Sequence, residues 1–474
     1  MLRLDGEHLT WSRPLSFDPT FAERRFGYGL SPVVAPVASV TAMLDGVAGQ
    51  DTMRARYPLP PYRHLREQLV RNRRFRQYAR ENPDTEEGKA AEQKVKALRR
   101  EMRLDRLAWF GHSMLRRINT PAAFHERLAA FWADHFTTIG KAGLTVGAPP
   151  LYVEEAVRPF IAGRFSDLLI SAVTHPLMLH YLDQNISAGE NSPAAQRPGR
   201  KRGLNENLAR EVLELHTLGV EGPYDQADVR AFANLLTGLG GTRDFGFRFR
   251  KNMVEPGSKT VLGVTYPHTG TIEPIHRALK DLAVHPATAR HLARKLAVHF
   301  VSDAPPDALV DHVASAYLSS GGELMATYEA LLDHSAAWQP EAVNIRPPLE
   351  FISTALRSLA VPDATFAALR PRDLNTLFLK PLRVMGFEYQ RPGGPDGWPE
   401  EDDAWVTPQG VAARLEWAVN APVRLLSELP DPRDYVVKAL GEVVPPELDF
   451  AVGAAENRAV AIGLVLASPA MQRR

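Results

Sequence analysis

The 474-residue sequence contains no cysteine. Disulfide bonds, thiolate nucleophiles, cysteine-ligated zinc, iron–sulfur clusters and covalently attached c-type haem are therefore excluded. No apolar run approaches the ~20 residues that a membrane span needs. The N-terminal segment MLRLDGEHLTWSRPLSFDP also lacks the apolar stretch of a secretory signal. We therefore expect a soluble, cytoplasmic protein with no membrane partner.

Several well-known catalytic motifs are also missing from the sequence. It has no G-x-G-x-x-G after a strand, no phosphate-binding loop and no G-x-S-x-G nucleophile elbow. No H-E-x-x-H occurs, and His291 and His299 are eight residues apart. That separation is about 12 Å of helix rise, which is too far for one metal ion. The sequence therefore gives no support for a zinc protease, an α/β-hydrolase or a dinucleotide-binding protein.

Helical periodicity dominates what is present. Hydrophobic residues make up 45% and charged residues 23% of the chain, as is ordinary for a globular protein. Apolar side chains recur at helical spacing, which predicts a mainly α protein with one large, bundle-like helical domain over residues 1–474. Residues 242–267 change period, because FGFRFRK alternates apolar and basic side chains and VLGVTY favours a strand. This segment predicts a small inserted β-hairpin.

Charge is unevenly distributed along the chain. Residues 63–117 hold sixteen Lys and Arg against eight Asp and Glu, a balance of +8, whereas the whole chain carries +1. Asn82-Pro83-Asp84 should break this segment into two helices. The excess could form a polyanion-binding face or a solvated basic helical hairpin. Few aromatic side chains are interleaved for base stacking, so we favour the solvated hairpin and regard nucleic acid as an unlikely partner.

The segment LNENLAREVLELHTLG, residues 204–219, concentrates polar groups in a helix that is otherwise apolar. Asn205 suits the N-cap, Gly219 suits a left-handed C-terminal position, and the helix should run from Glu206 to Leu218. Its apolar stripe is formed by three residues, Leu208, Val212 and Leu215. Polar side chains along the edge of such a stripe must be paired or must serve a function.

Two interpretations of this acidic helix compete. Glu206, Arg210 and Glu214 are spaced for i, i+4 ion pairs, which would only support the helix. Alternatively, Glu211 and Glu214 lie one turn apart beside Asn207 and could share a proton or a cation.

Other candidates lie upstream of the acidic helix. His135 projects from an apolar helical stripe, while Asp134 lies about 100° away and could serve another face. A lone buried histidine is more often a hydrogen-bonded core residue than a ligand. Asp183 and Asn185 lie at a helix end, where they could meet a ligand or form a cap or turn. Residues 187–203 predict a flexible polar loop, either a lid or a solvated insertion.

Two functions from different classes fit these residues. The first is an enzyme, with Asn207, Arg210, Glu211 and Glu214 as catalytic residues. A divalent metal would be held by His135, Asp183 and Glu211. The second is a non-catalytic assembly or carrier protein, in which these groups form a buried hydrogen-bond network and the ligand is a protein partner. Substrate, reaction class and any other cofactor are open at this stage.

Six further motifs accompany the stretch LNENLAREVLELHTLGVEGPYDQADVRAFANLLTG. In chain order they are RRFGYGLSP, FWADHFTT, FSDLLISAVTHPLMLHYLDQNIS, LAVHPATARHLARKLAVHFVSDAPP, RPPLEFISTALRSL and GWPEEDDAWVTPQGVAARLEWA. Together they resemble the bacterial family called domain of unknown function 1800 over nearly the whole chain. The resemblance implies a predominantly helical fold and no established reaction, and members of that family are often exported.

Overall fold

A computed structural model describes residues 17–197, 203–267, 269–340 and 343–474 of the chain. The mainly α fold class is confirmed, since helices make up most of these ranges and the sheet found in them has only two short strands. No helix in the described ranges is both long enough and apolar enough to cross a membrane.

The α-helices follow one another along the whole chain. The first half contains α1 (Pro19–Arg25), α2 (Val40–Ala48), α3 (Thr52–Arg56), α4 (Tyr62–Glu81), α5 (Glu86–Asn119), α6 (Ala123–His135), α7 (Pro149–Tyr152), α8 (Phe165–Thr174), α9 (Pro176–Tyr181), α10 (Asn207–Glu211) and α11 (Gln226–Leu235). The second half contains α12 (Glu273–Ala283), α13 (Pro286–Phe300), α14 (Asp307–Ser319), α15 (Leu324–Asp333), α16 (Pro348–Ser358), α17 (Asp363–Ala368), α18 (Pro371–Leu374), α19 (Lys380–Val384), α20 (Pro408–Leu425), α21 (Pro432–Leu440), α22 (Pro446–Ala454), α23 (Arg458–Ala467) and α24 (Pro469–Gln472).

Shorter helical segments of other types connect or extend these helices. Wider π segments are Val153–Val157, Val212–Thr217 and Asn375–Leu379. Tighter 3-10 segments are Gly143–Gly147, Arg158–Phe160, Gln184–Ile186, Lys251–Met253, Ser335–Trp338 and Asp402–Trp405. Because π segments add a residue to a turn, they rotate the following side chains away from the face that regular α-helical spacing predicts.

Histidine caps begin three of the helical segments. In His175, His285 and His334, the ring Nδ1 accepts a hydrogen bond from the backbone amide two residues further on, at 3.1, 3.1 and 3.2 Å. An imidazole acceptor thus satisfies an amide that a helix start leaves unpaired. The first two are followed by proline, which suits the first helical position because it lacks an amide hydrogen.

The β-hairpin is shorter than the sequence predicted. Strands β1 (Lys259–Val261) and β2 (Val264–Tyr266) pair antiparallel around Leu262-Gly263, both with positive φ, as in a tight hairpin turn. The predicted first strand at residues 245–251 is wrong. Phe245 has φ of +60°, and the hydroxyl of Thr242 bonds the amide of Gly246, so the chain turns there instead of extending.

The predicted break in the basic segment is confirmed. Helices α4 and α5 are separate, pack along each other, and are joined by a turn in which Thr85 Oγ1 accepts the amide of Gly88 at 3.0 Å. Exposed acids pair with neighbouring lysines, as Glu86 does with Lys89 at 2.8 Å. The solvated-surface interpretation and the absence of nucleic-acid binding stay predictions.

The described part of the predicted loop 187–203 is tied to its surroundings. The amide of Ala188 donates to the carbonyl of Gly203, and that of Ala194 donates to the carbonyl of Asn252. Ala188 and Ala194 are buried with Met253 in a small apolar cluster. Residues 198–202 of the segment lie outside the described residues.

Two large apolar cores are joined by the long helix α5. Its earlier turns place Leu98, Met102 and Trp109 in a first core with α6, α8 and α13, and its last turns place Phe110 and Met114 in a second core with α16 and α20. One helix with 34 residues therefore anchors both cores. The junction between the two cores is where charged side chains enter the interior.

Candidate functional site

The acidic helix consists of α10 and the π segment Val212–Thr217. Asn205 Oδ1 accepts the amide of Asn207 at 2.8 Å, and Gly219 has φ of +87°, so both predicted end signals are present. Arg210 lies 3.6 Å from Glu206 and 3.0 Å from Glu214. Both predicted ion pairs of Arg210 are therefore present.

Carbonyl groups of the π segment are the hydrogen-bond partners of the predicted histidine candidate, His135, and of His291. His135 Nε2 lies 3.2 Å from the carbonyl oxygen of His216, and His291 Nε2 lies 3.0 Å from that of Leu215. A carbonyl only accepts, so each Nε2 carries the hydrogen, and these imidazoles cap carbonyls at the end of the helix. Burial lowers the pKa of His216 to about 3 and that of His291 to about 4. His135 therefore lies in a neutral, buried cluster as a hydrogen-bonded core residue.

The three residues predicted to bind a metal are not brought together. Asp183 has φ of +57° and its carboxylate pairs with Lys141 at 2.5 Å, where 45% of the Asp183 side chain is exposed. His135 faces the interior, and Glu211 lies beside Glu214. No group of three His, Asp or Glu side chains in the described ranges is placed to hold a metal ion.

Glu211 lies among other acids at the edge of a larger site. Burial, and then Glu214 and Asp396, raise the pKa of Glu211 to about 7. Burial, Glu211 and Asp396 likewise raise the pKa of Tyr181 to about 12. Asp396 also raises the pKa of Asp134 on α6. The acidic helix and α6 are thus linked through a carboxylate on the loop before α20.

We expect Glu211→Gln to raise the melting temperature at pH 8. The pKa of Glu211 is above its ordinary value of 4.5, so the folded state loses stability as pH rises from about 4.5 to 7. Removing the charge should recover that loss at pH 8 and change little at pH 4. Glu206→Gln is the control, because this acid pairs with Arg210 nearer the surface and should cost only a few tenths of a kcal/mol. A lower melting temperature for Glu211→Gln at pH 8 would instead mean that this carboxylate supports the fold.

A cavity of about 260 Å³ lies where the two cores meet. Its apolar and aromatic wall includes Leu59, Phe131, Tyr152, Leu349, Phe387, Tyr389 and Trp398. Its charged wall consists of Arg116, Arg117, Glu126, Arg127, Asp134, Glu154, Arg158, His299, Glu350 and Glu400. A mostly apolar cavity with a few convergent polar groups is the usual form of a small-molecule site.

Most of these charges compensate each other. Three arginines are each paired with a glutamate: Arg116 with Glu154, Arg127 with Glu350, and Arg158 with Glu126. Buried charges need such partners because desolvation is costly. These pairs hold the wall in place, and their charges are not available to a ligand.

His299 is held between the guanidinium group of Arg127 and the carboxylate of Glu400. Arg127 Nη2 lies 3.0 Å from His299 Nε2, and Glu400 lies 2.8 Å from His299 Nδ1. Guanidinium nitrogens only donate, so Nε2 accepts and Nδ1 carries the hydrogen that is donated to Glu400. Burial lowers the pKa of His299, and the pKa of Glu400 is also lowered, since His299, Arg474 and Lys295 outweigh its burial. The imidazole is therefore neutral and Glu400 is ionised.

Two charged groups of the wall, Arg117 and Asp134, form no ion pair within the described ranges. Arg117 Nε donates to Tyr28 Oη and Nη1 donates to the carbonyl of Ser113, both at 3.2 Å. Within the described ranges no carboxylate forms an ion pair with Arg117. Burial, and then Glu400, raise the pKa of Asp134 to about 7.

The loop before α20 makes close contact with Asp134. The amide of Trp398 donates to Asp134 Oδ1 at 3.1 Å and to Oδ2 at 3.2 Å. Gly397 has φ of +87°, and a Cβ there would lie 2.6 Å from Asp134 Oδ2, so only glycine allows this approach. The motifs FWADHFTT and GWPEEDD therefore meet at one carboxyl group, with Trp398 on the cavity wall.

The residues of the cavity wall that the sequence did not single out are Arg117, Glu400 and, as a paired residue, His299. Their signals were present but ambiguous. Arg117 ends a long basic segment, Glu400 belongs to a run of acids, and His299 lies in a helix with four other titratable side chains. Only their tertiary contacts distinguish them from solvated charges.

The chain was compared with protein families, curated proteins and solved structures. No match was found among curated proteins or among solved structures. The family described as Protein of unknown function (DUF1800) matches residues 22–473, which include both cores and every residue of the cavity wall. The chain therefore belongs to the DUF1800 family over nearly its whole length.

Proposed function

We propose that this protein is an acid–base hydrolase that acts on a small organic anion in the cavity between its two cores. One observation carries the proposal. Two carboxyl groups of the same wall have opposite pKa shifts, since the pKa of Asp134 is raised to about 7 and that of Glu400 is lowered. Such a divergence is how enzymes assign one carboxyl as acid and another as base.

Asp134 suits the role of general acid. With a pKa of about 7, a large fraction of its carboxyl groups carry a proton at neutral pH. Its hydrogen bonds from the amide of Trp398 hold the carboxyl against the cavity. In the proposed step the Asp134 carboxyl donates its proton to the leaving group of the substrate.

Glu400 suits the role of the base that receives a proton from water. It is ionised, and the Nδ1–H of His299 holds its orientation at 2.8 and 2.9 Å from its two oxygens. Arg127 in turn fixes the imidazole from the other side. Because both ring nitrogens are occupied, we assign His299 a positioning role, and the carboxylate takes the proton.

Arg117 suits the anionic part of the substrate. Its Nε donates to Tyr28, whose hydroxyl lies 3.5 Å from the backbone oxygen of Glu126, so Arg117 is near this turn of α6. Asp134 is eight residues further along the helix, about 12 Å of rise. The cavity therefore favours an elongated molecule with a carboxylate or phosphate at one end and the scissile bond near the other.

The acidic helix is assigned to the rim of this site. Asn207, Arg210, Glu211 and Glu214 do not line the cavity, but Asp396 lies close enough to raise the pKa of both Glu211 and Asp134. Asp396 adds to the effect of burial and Glu400 in raising the pKa of Asp134. We therefore place the four residues of the acidic helix at the rim and give them no direct part in the proposed step.

A non-catalytic assembly or carrier protein is the second candidate. The observation in its favour is that most buried charges of the wall are already paired, as in a purely structural network. It gives no role, however, to an uncompensated Arg117 and a carboxyl with a pKa of about 7 in the same cavity.

We expect the protein to hydrolyse anionic substrates faster than matched neutral ones. A suitable panel pairs 4-nitrophenyl hydrogen succinate with 4-nitrophenyl acetate, and a 4-nitrophenyl glucuronide with the glucoside. Arg117→Gln should lower kcat/KM about tenfold or more for the anionic member of a pair, since it removes a charge-assisted hydrogen bond. It should leave the neutral member nearly unchanged.

Lys141→Gln is the control variant, because it removes an exposed cation outside the cavity wall. Equal effects of Arg117→Gln on anionic and neutral substrates would contradict the assigned role of Arg117. Absence of turnover on every pair, together with binding of the anionic compounds, would favour the carrier alternative.

A further inference from the structure

A second recess lies on the outer side of α5. It has a volume of about 410 Å³, and α5, the residues from α18 to Leu379, and the loop after α19 form its walls. We call it the arginine groove, and it is lined by Arg103, Arg106, Leu107, Phe110, Pro371, Arg372, Asn375, Leu379, Tyr389 and Gln390. It is separate from the catalytic cavity but shares Tyr389 and Gln390 with it.

The charge of the arginine groove is of one sign. Arg103, Arg106 and Arg372 line it, and no acidic residue is part of its wall. None of the three forms an ion pair with a carboxylate in the described parts of the chain. This differs from the catalytic cavity, where three of four arginines are paired with glutamates.

Acids next to the groove are engaged elsewhere. Asp105 on α5 lies 3.7 Å from His64 on α4. Asp373 on α18 lies 2.9 Å from Arg370. The positive charge of the groove is therefore not neutralised by its immediate chain neighbours.

Arg106 is held in place at the base of the groove. Its Nε is buried without a hydrogen-bond partner, which leaves a donor unsatisfied. Its aliphatic part packs on Gly147, where a Cβ would lie 2.6 Å from Arg106 Cγ. Gln390 on the opposite wall has φ of +62°, a conformation that non-glycine residues adopt mainly where the surroundings impose it. Arg106 is therefore fixed in the recess, whereas Arg103 and Arg372 on the same wall are exposed.

We propose that the arginine groove binds a small phosphate-bearing molecule with at least two negative charges. Guanidinium groups match phosphate oxygens with paired hydrogen bonds, and three arginines line this groove, whose wall includes no acid. Asn375 and Gln390 add neutral donors to the same wall. The proposal does not depend on hydrolysis in the catalytic cavity, because it rests on a different set of side chains.

Inorganic pyrophosphate is the probe that tests the proposal. Isothermal titration of the full chain in magnesium-free buffer should show one binding event. The double variant Arg103→Gln/Arg372→Gln changes two exposed side chains and should weaken binding about tenfold or more. Arg106→Lys keeps the charge but removes the forked donor, so it should weaken binding as well.

Two control variants separate this site from other positive charge. Arg73→Gln removes an exposed arginine of α4 outside the groove, and Arg117→Gln removes the free cation of the catalytic cavity. Arg73→Gln should leave pyrophosphate affinity unchanged, and Arg117→Gln tests whether the anion binds in the other cavity instead. Weakening by Arg117→Gln would place the anion in the catalytic cavity and overturn the proposal.

Other outcomes would also overturn it. Loss of the pyrophosphate binding heat in sodium chloride at physiological ionic strength would show that the anion is attracted by diffuse surface charge and not by a site. Tight binding of a single-stranded oligonucleotide that Arg73→Gln weakens as strongly as the double variant would assign the whole basic hairpin to nucleic acid. Retention of full pyrophosphate affinity in both groove variants would exclude the groove.

Discussion

Asp134→Asn should lower kcat on the preferred substrate by about 10²–10⁴-fold, the usual contribution of a general acid. The amide keeps the shape of the carboxyl and can still accept the amide hydrogen of Trp398, so the cavity should be preserved. It cannot deliver a proton to a leaving group. Steady-state kinetics with the most reactive compound of the 4-nitrophenyl panel measures the effect, and KM should change little.

The pH profile gives a second readout of the same residue. Because the acid must be protonated, activity of the wild-type protein should fall above pH 7, near the pKa of Asp134. Asp396→Asn removes an exposed carboxylate of the same loop that raises this pKa. This control should keep most of the activity and shift the alkaline limb to lower pH. An unshifted alkaline limb together with full activity of Asp134→Asn would refute the role of Asp134.

Stability should move in the opposite direction to activity. The pKa of Asp134 is above its ordinary value of 3.8, so the folded state binds more protons than the unfolded state between about pH 4 and 7. Stability of the wild-type protein therefore decreases across that range as pH rises. Asp134→Asn should be more stable than the wild type at pH 8 by roughly 1–3 kcal/mol and similar to it at pH 4. A merely structural carboxylate would give the reverse order.

Local sequence patterns predicted much of the helical architecture. Helices α13 and α14 cover 286–300 and 307–319, where apolar periodicity and helix-end signals in the sequence agree. These patterns did not predict where the backbone departs from regular α-helical geometry. The π segment Val212–Thr217 adds a residue to a turn, so it rotates the end of the acidic helix relative to regular α-helical spacing.

The candidate site could be predicted only in part, because its chemistry depends on distant contacts. The sequence placed Asp134 on a separate helical face, but its pKa is raised by burial and then by Glu400, a residue far away in the chain. His135 was favoured as a core residue over a ligand, in agreement with its bond to His216. Which arginine lacks a partner cannot be read from spacing, since Arg127 and Glu350 are 223 residues apart. Pairing at that range is decided by the packing of whole helices.

Glu350 is the centre of the charge network that holds the two cores together. Its carboxylate accepts hydrogen bonds from Arg127 of α6, from Arg346 at 2.7 Å, and from Arg474. Burial alone would raise the pKa of Glu350, but these three arginines lower it to about 2. Arg474 also donates to the carbonyl of His299 at 2.8 Å, so the network is connected to a residue of the cavity wall.

Glu350→Gln should therefore reduce the free energy of unfolding by about 3–5 kcal/mol, because it leaves three buried guanidinium groups without their carboxylate. Urea unfolding at pH 7 measures the loss. The pKa of Glu350 is below its ordinary value of 4.5, so its contribution is present above about pH 4.5 and disappears as pH falls toward 2. The difference between variant and wild type should shrink in that window. Glu86→Gln, which removes an exposed partner of Lys89, is the control and should cost only a few tenths of a kcal/mol. If both substitutions reduce the free energy of unfolding equally, the buried network does not stabilise the junction of the two cores. Other contacts must then hold the cavity wall that carries Asp134 and Glu400.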